Sequence, residues 1–155
     1  MQKRPAVIRD RPIRIAVVGC GRISANHFKA IEAHRDNLQL VGVCDTDPGV
    51  LEAAKTRHGV PGYSSLAEML ETDLDVVALC TPSGLHPSHA ILAARAGRHI
   101  ITEKPMATRW SDGLTMVREC DEAGVHLLVV KQNRRNSTLQ LLKRAMESRR
   151  FGRRR

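Results

Sequence analysis

Four clusters in this 155-residue chain place glycines or polar side chains at spacings that serve chemistry. The first is Gly19-Cys20-Gly21-Arg22-Ile23-Ser24, directly after an apolar run. A turn of this kind brings backbone N–H groups up to a diphosphate at a helix start, where unpaired N–H groups and the helix dipole favour an anion. Gly19 permits the tight turn and Gly21 the close approach. Ser24, still small, stands where a third glycine or alanine is usual. Glycines also end strands for no functional reason, so context matters. Asp45 supplies it, 24 positions beyond Gly21 at the end of a second apolar run. That is close to the usual spacing for an acid that binds both hydroxyls of an adenosine ribose. A carboxylate there repels a 2′-phosphate, so the expected cofactor is NAD rather than NADP, with Arg22 as the opposing feature. A turn or cap aspartate in D-x-D-P-G is the alternative.

Thr81-Pro82-Ser83 follows a fourth apolar run, with His86 entering the next helix. These residues can touch ribose or nicotinamide, although Ser-Pro-type loops are also plain turn chemistry. No catalytic role is expected for His86 or His89. In HIITEKPMA, residues 99–107, a β-branched run ends abruptly on Glu103, Lys104 and Pro105. Hydride leaves a carbinol carbon only as the hydroxyl proton departs, so a polar group must sit at that oxygen. A free lysine, with a pKa of about 10.4, is a poor base at neutral pH, but desolvation and a neighbouring cationic ring lower it. The alternative is an exposed Glu-Lys pair before a proline turn, worth little energetically. Last, Gln132 and Asn133 can bind cofactor or substrate, and Arg134 can pair with a substrate carboxylate or phosphate. A basic loop leading into a helix is the plainer reading of that stretch.

The surrounding pattern must position these groups. Apolar runs at 13–19, 38–44, 62–63, 74–80, 99–102 and 125–130 predict six strands. Helical patterns fall at 23–34, 50–57, 87–96, 111–123 and 137–148. The first carries Ile23, His27, Ala30, Ile31 and His34 at helical spacing, and the last carries Leu139, Leu142 and Met146 on one side. A further short helix follows Ser65, with Glu68 at capping-box spacing. This alternation predicts an α/β fold: a doubly wound parallel sheet with right-handed crossovers, a Rossmann-like dinucleotide-binding domain. Ligands of such sheets lie beyond the carboxyl ends of the strands, where all four clusters fall. The expected organisation is a flexible basic N-terminus over 1–12, the dinucleotide-binding domain over 13–136, and over 137–155 a helix opening a truncated second domain with an Arg-rich end.

Composition narrows the classes. The chain is 42% hydrophobic and 26% charged, an ordinary globular balance. No apolar run approaches the roughly 18 residues of a membrane span, and none of signal-peptide length follows the basic start, so a cytoplasmic protein is expected. The formal charge of +9 is concentrated at the ends, +4 in residues 1–14 and +4 in residues 147–155. Charged termini explain this better than a nucleic-acid arm, and one Trp, one Tyr and two Phe leave little for base stacking. Cys20, Cys44, Cys80 and Cys120 lack CxxC spacing and read as reduced packing residues, with no metal expected.

Gly-x-Gly-Arg-Ile with His27 three residues after Ser24, Asp45, TPSGLHPSHA and above all EKPMA resemble the glucose-fructose oxidoreductase, inositol dehydrogenase and MocA family. The match runs in order over about residues 13–136. The stretch VVKQNRRNSTLQLLKRAMESRRFG is similar to a narrower group, the UDP-N-acetyl-2-amino-2-deoxy-D-glucuronate dehydrogenases of bacterial surface-polysaccharide synthesis. The resemblance implies an NAD-dependent oxidoreductase that moves hydride from the C3 hydroxyl of a UDP-linked sugar to NAD. It implies that Lys104 is catalytic, meeting both the hydroxyl being oxidised and the cofactor. It places Glu103 at the nicotinamide end and Pro105 after a cis peptide. Family members continue into a second domain on an open antiparallel sheet, which supplies substrate contacts, the subunit interface and an acid/base histidine. This chain instead ends in FGRRR, so it is expected to be the cofactor half of a homo-oligomeric enzyme, inactive alone. The competing expectation is a non-catalytic NAD-binding or basic interaction module using its arginine-rich ends.

Overall fold

The computed structural model describes residues 8–152. Residues 1–7 and 153–155, on which part of the basic-ends expectation rests, lie outside the described residues. Six parallel strands, β1 (Ile13–Val18), β2 (Leu38–Cys44), β3 (Gly62–Tyr63), β4 (Val76–Leu79), β5 (His99–Thr102) and β6 (Leu127–Val129), form one sheet in the order β3-β2-β1-β4-β5-β6. The chain starts at the centre and winds outwards in both directions, as a doubly wound sheet does. The helices are α1 (Ser24–Ala33), α2 (Pro48–His58), α3 (Leu66–Leu70), α4 (His86–Arg95), α5 (Trp110–Ala123) and α6 (Ser137–Glu147). Single 3-10 turns at Ser83–Leu85 and Gln132–Arg135 follow β4 and β6.

The predicted elements are present, and their edges move for local reasons. α2 begins at Pro48 rather than Val50, because the Asp47 carboxylate accepts the Val50 N–H at 2.9 Å and Pro48 occupies the first turn, where its missing donor costs nothing. α6 is capped by Asn136, whose Oδ1 accepts the N–H groups of Thr138 and Leu139. At α3 the Ser65 hydroxyl accepts the Glu68 N–H at 3.1 Å, one half of the expected capping box.

β1 shows why the sheet is apolar on both sides. Side chains alternate across a strand, so Ala16 and Val18 enter a core with Val77, Leu79, Ile100 and the α3, α4 and α5 residues Met69, Ala90 and Met116. Ile15 and Val17 enter the opposite core with Ile31, Val76 and Ala78, against Phe28 and Leu40. The strand ends beyond this double core are consequently fixed platforms.

The other end of the sheet is pinned by Asp75, just before β4. Its carboxylate accepts the Arg14 N–H at 2.8 Å and both terminal nitrogens of Arg11 at 2.6 and 2.8 Å, while its N–H donates to the Arg14 carbonyl. The Arg11 bond, with the Arg14 N–H, lowers the Asp75 pKa to about 2, against the opposing cost of burial. A depressed carboxyl pKa stabilises the fold above the ordinary value of 3.8 and loses that contribution as pH falls towards 2. Asp75→Asn should therefore cost about 1–2 kcal/mol in urea unfolding at pH 7. The gap from wild type should close as the pH is lowered through that window; a gap independent of pH would contradict the assignment.

Candidate functional site

At the carboxyl ends of β1 and β4 the two backbones nearly touch. A Cβ on Gly19 would lie 2.8 Å from the Cys80 carbonyl carbon and 2.9 Å from the Thr81 nitrogen, and its φ of +86° is one that L side chains rarely adopt. Glycine is required there on both counts. Gly21, two residues on, has nothing within 4 Å of its would-be Cβ. The turn is thus closed on its inner side and open where a ligand would approach. Ser24 is 1% exposed at the start of α1, and its hydroxyl donates to the Gly21 carbonyl at 2.6 Å, so the substituted third position closes the turn on itself. Arg22 and Ile23 face solvent at the rim.

Asp45, directly after β2, is tied to that turn. Its Oδ2 accepts the Cys20 N–H at 2.7 Å and its Oδ1 the Asp47 N–H at 3.0 Å. A carboxylate held at both oxygens by main-chain donors has a fixed direction and retains lone pairs for hydroxyl donors. The thiols at these strand ends stay neutral. Burial, then the Asp45 charge, raises Cys20 to about 11; burial, then the neighbouring Cys20, raises Cys44 to about 12; burial, then Glu103, raises Cys80 to about 12. All four cysteines are free. Among the described residues no group of three His, Cys, Asp or Glu side chains is arranged to hold a metal ion.

The β4 loop presents Thr81, Pro82 and Ser83 at the same edge, with Thr81 Oγ1 bonded to His89 Nδ1 at 3.2 Å. His86 is placed differently from the expected cofactor contact. It is 1% exposed, with Nε2 2.8 Å from the Thr81 carbonyl and Nδ1 2.8 Å from the Pro105 carbonyl. The helix turns its ring inward, where it braces the β4 loop against the loop after β5.

That second loop carries Glu103 and Lys104, joined to Pro105 by a cis peptide bond. The two charges do not form an exposed pair. Glu103 is 8% exposed, its N–H donates to the Leu79 carbonyl of β4, and its Oε1 meets His27 Nε2 of α1 at 2.8 Å. Lys104 is exposed at the loop. His27 carried two sequence signals, its place on the helix face and its spacing three residues after Ser24 in the family-like motif, but neither pointed to Glu103 as its partner. A cavity of about 320 Å³ opens against the pair, lined by Ile23, Asn26, Ala30, Val130 and Gln132. Asn133 and Arg134 are exposed on the adjoining 3-10 turn. Gly19, Gly21, Asp45, Thr81, Ser83, Glu103, Lys104 and Gln132 therefore gather along one sheet edge.

A larger cleft of about 1380 Å³ runs between α1 and α2 beside the Phe28–His58 ring stack, whose centroids lie 3.9 Å apart. It reaches the glycine turn at Cys20, Gly21, Arg22 and Ser24 and holds neither Glu103 nor Lys104. Size here does not mark the chemistry. Among the described residues no helix is long and apolar enough to cross a membrane.

Residues 13–131 match the family model of the GFO/IDH/MocA oxidoreductases, described as an oxidoreductase family with an NAD-binding Rossmann fold. Two solved structures superpose with TM-scores of 0.90. One is the WlbA dehydrogenase of Chromobacterium violaceum in complex with NADH and UDP-GlcNAcA, 61% identical over 94% of this chain. The other is WlbA of Bordetella pertussis with the same two ligands, 59% identical over 95% of this chain. D-apiose dehydrogenase of Paraburkholderia graminis is 37% identical over 84% of this chain. The chain spans 43% of each WlbA structure and 35% of D-apiose dehydrogenase. With the strand order, the glycine turn and the matched span in agreement, this chain belongs to the GFO/IDH/MocA oxidoreductase family as its NAD-binding Rossmann domain.

Proposed function

We propose that this chain forms the cofactor-binding part of a dehydrogenase that oxidises the C3 hydroxyl of a UDP-linked N-acetylated glucuronate, in bacterial surface-polysaccharide synthesis. The whole enzyme works as a cytoplasmic homo-oligomer, and the part described here does not turn over alone. The observation that carries this is the 61% and 59% identity to two dehydrogenases solved with both NADH and UDP-GlcNAcA.

The residues present fit a dinucleotide. The open surface over Gly21 and the start of α1 receive the diphosphate through main-chain N–H groups. Asp45, aimed by Cys20 and Asp47, accepts the adenosine ribose hydroxyls, with Arg22 at the rim beside it. Ile23, Thr81, Pro82 and Ser83 border the path towards Glu103, which takes the nicotinamide end with Gln132 and Asn133. NAD, when bound, supplies the acceptor for hydride. Lys104 hydrogen-bonds the sugar hydroxyl and helps its proton leave, and Arg134 pairs with an anionic group of the substrate.

Calorimetric titration with NADH and NADPH tests the cofactor assignment. NADH should bind in preference, and Asp45→Ala should weaken it by about tenfold, the loss of one charge-assisted contact, while narrowing its advantage over NADPH. A folded chain that binds neither nucleotide, or a selectivity that Asp45→Ala leaves intact, would contradict it.

A further inference from the structure

We propose that His27 is a positioning residue for the nicotinamide end of the cofactor, acting through Glu103; this rests on the dinucleotide reading above and extends it to a residue on another element. A carboxylate as buried as Glu103 is costly unless it is paired, and its partner comes from α1, not from its charged neighbour Lys104. His27 Nε2 donates to Oε1 at 2.8 Å, with both side chains largely buried. Oε2 lies 3.4 Å from the Lys104 N–H, a long contact that leaves accepting capacity on that oxygen.

The carboxylate is thus held at one oxygen and available at the other, beside the 320 Å³ cavity between Ile23, Asn26, Val130 and Gln132. The apolar side chains of Ile23, Ala30 and Val130 beside an oriented acceptor suit a flat ring bearing an amide N–H donor, which the nicotinamide carboxamide is. His27 lies three residues after Ser24 on the helix whose start carries the glycine turn. One helix therefore sets both the diphosphate turn and the direction of Glu103, fixing the distance between the cofactor's middle and its reactive end.

ADP-ribose shares the diphosphate and adenosine ribose contacts of NADH but lacks the nicotinamide, so it separates this role from general support of the fold. Calorimetry of this chain should show His27→Leu weakening NADH by about tenfold and ADP-ribose by less than about twofold. His27→Gln, which keeps an N–H donor, should recover most of the loss. Glu103→Gln, which exchanges half of the acceptor for a donor, should reproduce the NADH-selective defect and stands in if His27→Leu does not fold. Equal losses for both ligands would make His27 a merely structural residue, and unchanged NADH binding would remove it from the site; either overturns the proposal. A wild-type chain that binds ADP-ribose but gains nothing from the nicotinamide overturns this inference alone, whereas one that binds neither ligand overturns the dinucleotide reading with it.

Discussion

The contact on which the rest of the site depends is that between Gly19 and the Cys80–Thr81 peptide. β1 is paired on one side with β2 and on the other with β4, so the chain leaves in opposite directions from its two neighbours and a crevice opens between them. The backbone after β1 bends there so close to the β4 exit that a Cβ on Gly19 would lie within 3 Å of the Cys80–Thr81 peptide. From that bend follow the open face of Gly21, the start of α1 and the donation from Cys20 to Asp45. Widening this contact would displace all three together.

Around this bend the structure confines charge to a few fixed points. Three cysteine thiols that stay neutral surround the strand ends. The carboxylates that remain, Asp45 and Glu103, are each aimed by partners from a different element: Asp45 by the glycine turn, Glu103 by α1. At the opposite end of the strands Asp75 joins β1 to β4 through Arg11 and Arg14, so the platform is held at both ends. The abrupt ending of β5 on Glu103, Lys104 and Pro105 has its physical reason here. The strand delivers one inward acid and one outward base at a sheet edge, and His86 braces the loop that carries them.

Most of this was legible because it is local. Two-faced apolar runs alternating with helices dictate a parallel sheet, and the glycine turn and Asp45 declare themselves by spacing along the chain. What sequence reasoning missed is long-range. Glu103 and His27 are 76 residues apart, and nothing local distinguishes a histidine that reaches a buried acid from one that packs. His86 was expected at the cofactor because its neighbours lie there; both of its ring nitrogens are instead taken by the Thr81 and Pro105 carbonyls, partners from two loops that local sequence does not reveal. Asp47 was visible only as part of a turn, although it also caps α2.

The central claim is that the edge formed by β1, β2, β4 and β5 is one dinucleotide site. Backbone amide chemical shifts recorded during titration with NADH test it most directly. Perturbations are expected at Cys20 to Ser24, Asp45, Thr81, Ser83, Glu103 and Lys104, saturating together. Shifts confined to the α1–α2 cleft or to α6, with the glycine turn unmoved, would contradict it.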